Sequence, residues 1–101
     1  MDDVLLTLVM PPDVARRIED LLLEHAELVP GFGSTQIAGH GSAVHLAEPA
    51  ELVSGHAPRV QIQIVGKLPA MHAVLDILRQ QFPHANVFYW IAPALEVGRI
   101  A

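Results

Sequence analysis

From Val4 to Met10 the chain is apolar at every position except Thr7. So short an unbroken run, stopped by Pro11-Pro12, predicts a buried strand rather than a helix. Pro12 suits the first turn of a following helix, where its missing N–H costs nothing, and Asp13 there complements the helix dipole. The period then becomes helical: Val14, Ile18, Leu21, Leu22 and His25 form one stripe. Arg16, Arg17, Asp20, Glu24 and Glu27 take the solvated side, and Pro30-Gly31 marks a turn. Phe32 to Ala38 predicts a strand diluted by Gly33 and Ser34. Arg59 to Val65 alternates, with Val60, Ile62 and Ile64 on one face and Gln61 and Gln63 on the other, as in a half-buried strand. Gly66-Lys67-Leu68-Pro69 opens a second helix, with Met71, Val74, Leu75, Leu78 and Phe82 inward and His72, Asp76, Arg79 and Gln80 outward. Pro83 ends it. Asn86 to Ala92 predicts a last strand carrying Phe88, Tyr89 and Trp90. In the tail Pro93 to Ala101, Leu95, Val97 and Ile100 predict packing against the body.

The order is β-α-β, a long connection, then β-α-β. This predicts an α+β, ferredoxin-like βαββαβ sandwich: a four-stranded antiparallel sheet with two helices on one face, strands one and three central. Residues 1–101 make a single domain. Helices on one side leave the second sheet face bare, yet strand one is apolar on both faces and the last strand has rings on both. That face needs a cover, and another copy of the chain is the simplest one. The composition agrees, because 51% apolar residues and a mean hydropathy of +0.38 leave apolar surface facing outward, where large patches mark interfaces.

Charge and residue content exclude several classes. There is no cysteine, hence no disulfide, thiolate metal site or cysteine nucleophile. A net charge of −5 with six scattered basic residues excludes a nucleic-acid binder. No run of about 18 apolar residues exists to insert into a membrane. Met1-Asp2-Asp3 is unlike the basic start of a secretory signal, so a cytoplasmic protein is expected.

Candidate chemistry gathers between Gly39 and Pro58, which holds three of the six histidines and two glutamates. Connections longer than about 12–15 residues are usually functional or disordered. His40, His45 and His56, with Glu48 or Glu51, supply enough N and O donors for a divalent ion such as zinc or copper. The spacing fits no zinc motif; the plainer reading is a polar surface loop of solvated histidines, and histidine clusters can also act as pH sensors. Gly31-Phe32-Gly33-Ser34 and Gly39-His40-Gly41-Ser42 place small residues where amides can turn toward an anion. Neither is a phosphate-loop motif, and both also read as glycines shaping strand ends. His72 and Asp76, four residues apart, read as a surface pair. No G-x-S-x-G motif or nucleophile–base pairing singles out Ser34, Ser42 or Ser54, so a non-enzyme is expected.

The layout, with Gly39-His40-Gly41 at the loop base and Arg59-Val60-Gln61-Ile62-Gln63-Ile64-Val65 after it, resembles the PII-like superfamily. Leu5-Leu6-Thr7-Leu8-Val9, the Gly31-Phe32 turn and Tyr89-Trp90-Ile91-Ala92-Pro93 resemble a small branch of it associated with heavy-metal efflux systems. CutA-type proteins are more distantly similar. The resemblance implies a homotrimer with its sheets turned inward and a T-loop-like excursion at 42–58. It implies a ligand in the subunit clefts near Gly39, His40 and Gly41, or a divalent metal held by His40, His45 and His56. It also implies a regulatory role exerted through the loop on a partner, such as a heavy-metal efflux transporter in the membrane. The chain departs from signalling PII proteins at the second helix–strand connection. Pro83-His84-Ala85-Asn86 replaces the lysine-containing glycine loop, and no tyrosine lies in 42–58, which counts against ATP and 2-oxoglutarate sensing. A metal carrier without an effector and a small cofactor-independent isomerase are the alternative readings.

Overall fold

A computed structural model describes residues 2–40 and 57–101 of the chain. Its elements are β1 (Asp3–Met10), α1 (Pro12–Glu24), β2 (Phe32–Gly39), β3 (Ala57–Lys67), α2 (Leu68–Gln81) and β4 (Phe88–Pro93). They form one four-stranded sheet of order β2-β3-β1-β4, antiparallel throughout. This is the ferredoxin-like arrangement, with β1 and β3 central.

The alternation of each strand sorts side chains to two faces. On the helix-covered face, Leu6 lies opposite Ile64 and Ile91, Leu8 opposite Ile62 and Tyr89, and Phe32 opposite Ile64. Leu6, Leu8, Met10, Ile62 and Ile64 are fully buried there against Val14, Ile18 and Leu22 of α1 and Met71, Val74 and Leu78 of α2. Burial at this level stabilises by about 1.5–3 kcal/mol per large aliphatic side chain. Both helices start on proline within the first turn, without a side-chain cap. For α2 the backbone supplies the anchor instead, as Leu68 N–H donates to Asp2 O at 2.9 Å and ties the helix to the first residues of the sheet.

The structure corrects several boundaries and contacts. β3 runs from Ala57 to Lys67, longer at both ends than the alternation predicts, because its start pairs with Gly39 and its end with Asp3. β4 starts at Phe88 rather than Asn86: Ala85 N–H bonds Phe82 O and Val87 N–H bonds Ala85 O, so that backbone is engaged in turns. Asp76 takes Arg79 at 3.1 Å rather than His72, since the planar, permanently charged fork of a guanidinium outcompetes an imidazole for a carboxylate. The tail does not pack on its own body. Leu95 is 90% exposed and Ile100 fully exposed, although Ala94 N–H still reaches Asp3 O at 3.0 Å.

Candidate functional site

The connection between β2 and β3 leaves the sheet at the end where β1 finishes and β4 begins, since Met10 pairs with Val60 and Val9 with Phe88. Gly39, opposite Ala57, is buried in the last rung of β2, and His40 is exposed one residue beyond. Gly41, His45 and His56, and most of the expected excursion 42–58, lie outside the described residues; Ala57 and Pro58 already belong to β3. Of the proposed ligand set Gly39, His40 and Gly41, the structure therefore places two, adjacent in sequence and on opposite sides of a burial boundary. Among the described residues no group of three or more His, Asp or Glu is arranged to hold a metal ion.

A cleft of about 430 Å³ lies against this loop base, lined by Gln36, Ile37, Pro58, Arg59 and Val60, with Pro12 from the start of α1. Its charged member, Arg59, is only 4% exposed and donates from Nη1 to Pro58 O at 2.8 Å. A guanidinium donating to a carbonyl makes a charge-assisted hydrogen bond, stronger than a neutral one. The sequence shows Arg59 only as the first residue of an alternating strand, and nothing in that pattern distinguishes it.

A second cleft, about 240 Å³, opens under the C-terminal turn of α2, with a floor of Leu8, Leu75, Leu78 and Val87 and a rim of Arg79, Phe82 and Tyr89. Arg79 Nη2 donates to Tyr89 Oη at 3.3 Å, and its guanidinium lies 5.8 Å from the Tyr89 ring centre. Arg17 sits over Phe82 at 5.4 Å. Cation–π contacts of this kind hold exposed arginines over apolar rims.

The sheet face away from the helices also leaves apolar side chains open. Leu5 lies opposite Val65 and Ala92, Thr7 opposite Gln63 and Trp90, and Val9 opposite Gln61 and Phe88. Val65, Phe88 and Trp90 are 38%, 50% and 43% exposed. The Phe88 and Trp90 rings stand 5.9 Å apart at 58°, a tilted pair that presents one broad aromatic surface. The face carries little charge: Lys67 Nζ pairs with Asp3 at 2.8 Å, and Arg59 is buried at the opposite end. Its hydrogen bond to Asp3 holds Lys67 above the usual ammonium range.

No helix among the described residues is long and apolar enough to cross a membrane. Among curated proteins none matches the sequence. Two solved structures are similar over nearly their whole lengths. One is a DUF3240 family protein from Shewanella baltica, with 25% identity, a TM-score of 0.81 and coverage of 100% of this chain and 99% of that one. The other, from Thermus thermophilus, is described as a PII-like signaling protein; it has 17% identity, a TM-score of 0.59 and coverage of 90% and 88%, and shares the fold. The family described as "Protein of unknown function (DUF3240)" matches residues 1–101. The PII-like architecture expected from the layout is the one observed, and the chain belongs to the DUF3240 family.

Proposed function

We propose that the chain is a non-enzymatic regulatory protein that works as a homotrimer, with the open sheet faces turned inward. The observation that carries this reading is the uncovered aromatic face of Phe88 and Trp90 on a chain that shares its fold with a protein described as PII-like and signalling. A chain of −5 net charge would repel its own copies through most surfaces, but its acidic residues concentrate elsewhere, notably Asp13, Glu19, Asp20 and Glu24 on α1. The outer face is the part where copies meet without opposing like charges.

In this reading a small ligand or divalent metal binds at the subunit clefts near the loop base, where Gly39, His40 and Arg59 stand. His40, His45 and His56 are the proposed metal donors. Binding then alters what the loop presents to a partner, a heavy-metal efflux transporter being the one the family resemblance suggests.

Calorimetric titration of chelator-stripped protein with Zn²⁺, Cu²⁺ and Co²⁺, followed by ATP, ADP and AMP, tests this. Micromolar metal binding lost in the His40/His45/His56 triple alanine variant, with a change in hydrogen exchange over 42–58, is the expected result. No binding of any of these, with unchanged exchange, sinks the ligand-responsive reading.

A further inference from the structure

The outer face contains a polar atom that has no partner among the described residues. Thr7 is fully buried, and its Oγ1 makes no hydrogen bond there. Native proteins rarely leave a buried hydroxyl in that state, and where they do a missing partner is the first explanation to test. The neighbours of Thr7 along the strand on this face are Leu5 and Val9, and Trp90 flanks it on β4. Its polar neighbour by register is Gln63 on β3, which is exposed. Beyond Gln63 the row ends at Gly33, where a Cβ would meet nothing within 4 Å. Thr7 and Gln63 thus form a polar pair at the edge of the apolar strip of Leu5, Val9, Phe88 and Trp90, with Gln61 and Thr35 in the next row.

We propose that this pair is the registration point of the contact between copies: covering the face turns the Gln63 carboxamide onto the Thr7 hydroxyl. Directly opposed residues hold their Cβ atoms about 4.5–5.5 Å apart, within reach of a glutamine side chain. In the separate chain Gln63 is exposed and Thr7 Oγ1 is without a partner among the described residues. Under a second copy the carboxamide loses its water, and the two groups then satisfy one another. A shifted docking that left both dry and unpaired would be penalised, so the pair selects one register. A second copy is the occupant because the face carries almost no net charge while the chain carries −5. The inference rests on the reading of this face as the subunit interface.

Thr7→Val replaces the hydroxyl by a methyl group at nearly constant volume. By sedimentation equilibrium the variant should assemble about three- to tenfold more weakly than wild type, the loss of one hydrogen bond, while Thr7→Ser keeps most of the affinity. Under dissociating dilution Thr7→Val should melt no lower than wild type, because it removes an orphaned hydroxyl. In the Gln63→Leu background Thr7→Val should no longer weaken assembly, because the hydrogen bond it would remove is already gone. Assembly of Thr7→Val as tight as wild type overturns this inference and leaves the trimer reading standing. A wild-type protein that stays a single chain at every concentration overturns both.

Discussion

Both faces of this sheet carry apolar side chains from β1 and β4, and they meet different ends. On the helix side Leu6, Leu8, Ile62 and Ile64 are wholly buried under the two helices. On the far side Leu5, Val9, Val65, Phe88 and Trp90 form an apolar strip beside Gln61 and Gln63, and Val65, Phe88 and Trp90 stay exposed. A strand that needed only one buried face would alternate apolar with polar, as antiparallel strands with a wet side do. β1 does not. In the reading proposed above, the folded single chain is only part of what this sequence specifies, and its second core forms by association.

Substitutions on the two faces separate the claims. The largest effect is expected from Leu6→Ala, which hollows the helix-side core and should cost about 2–5 kcal/mol in urea unfolding. Trp90→Ala should behave oppositely. It should leave the dissociated chain folded while weakening assembly by about 2 kcal/mol, some thirtyfold, in sedimentation equilibrium. If Trp90→Ala unfolds the chain as Leu6→Ala does, the distinction between the faces collapses.

Two glycines sharpen the same comparison. A Cβ at Gly66, on the helix side, would stand 2.8 Å from the Met71 methyl carbon. Gly66→Ala should lower stability by about 1 kcal/mol, at the low end of overpacking because the flexible end of a methionine yields. Gly33 lies in the row of Thr7 with open space around it, and Gly33→Ala should raise the stability of the dissociated chain by about 0.5 kcal/mol. Thermal melting of both at low protein concentration reads the two signs.

The smallest expected effect lies away from both faces. The Glu27 backbone N–H and then the His25 side chain, with Nδ1 at 3.2 Å, hold the Glu27 carboxyl below its ordinary value. A carboxyl lowered in the folded state contributes stability above its unfolded pKa and loses it as pH falls through the folded one. The melting difference between wild type and Glu27→Gln should therefore be small at pH 7 and vanish in the acid range below about pH 4. A difference that persists once the carboxyl is protonated contradicts the assignment.

Much of the fold is legible in the sequence because period and punctuation agree. Pro11-Pro12 opens the first helix, Pro83 closes the second, Pro30-Gly31 marks the turn into β2, and the alternation from Val60 to Ile64 sets the inward face of β3. The tail departs from its pattern for a physical reason: Leu95 and Ile100 announce burial, but hydropathy does not say against which molecule. The site is less legible still. Arg59 reads as an ordinary strand residue until its burial is seen, and Thr7 reads as a minor interruption of an apolar run until its hydroxyl is found without a partner. Burial of a polar group is a property of the folded surroundings, and no local pattern encodes it.

The central claim is that the open face is the seam between copies of this chain. Sedimentation equilibrium of the wild-type protein over a wide concentration range tests it most directly, with Trp90→Glu as the control. The expected result is three times the 11.0 kDa chain mass for wild type and the single-chain mass for a still-folded Trp90→Glu. A wild type that remains a single chain, or a Trp90→Glu variant that assembles as the wild type does, would contradict it.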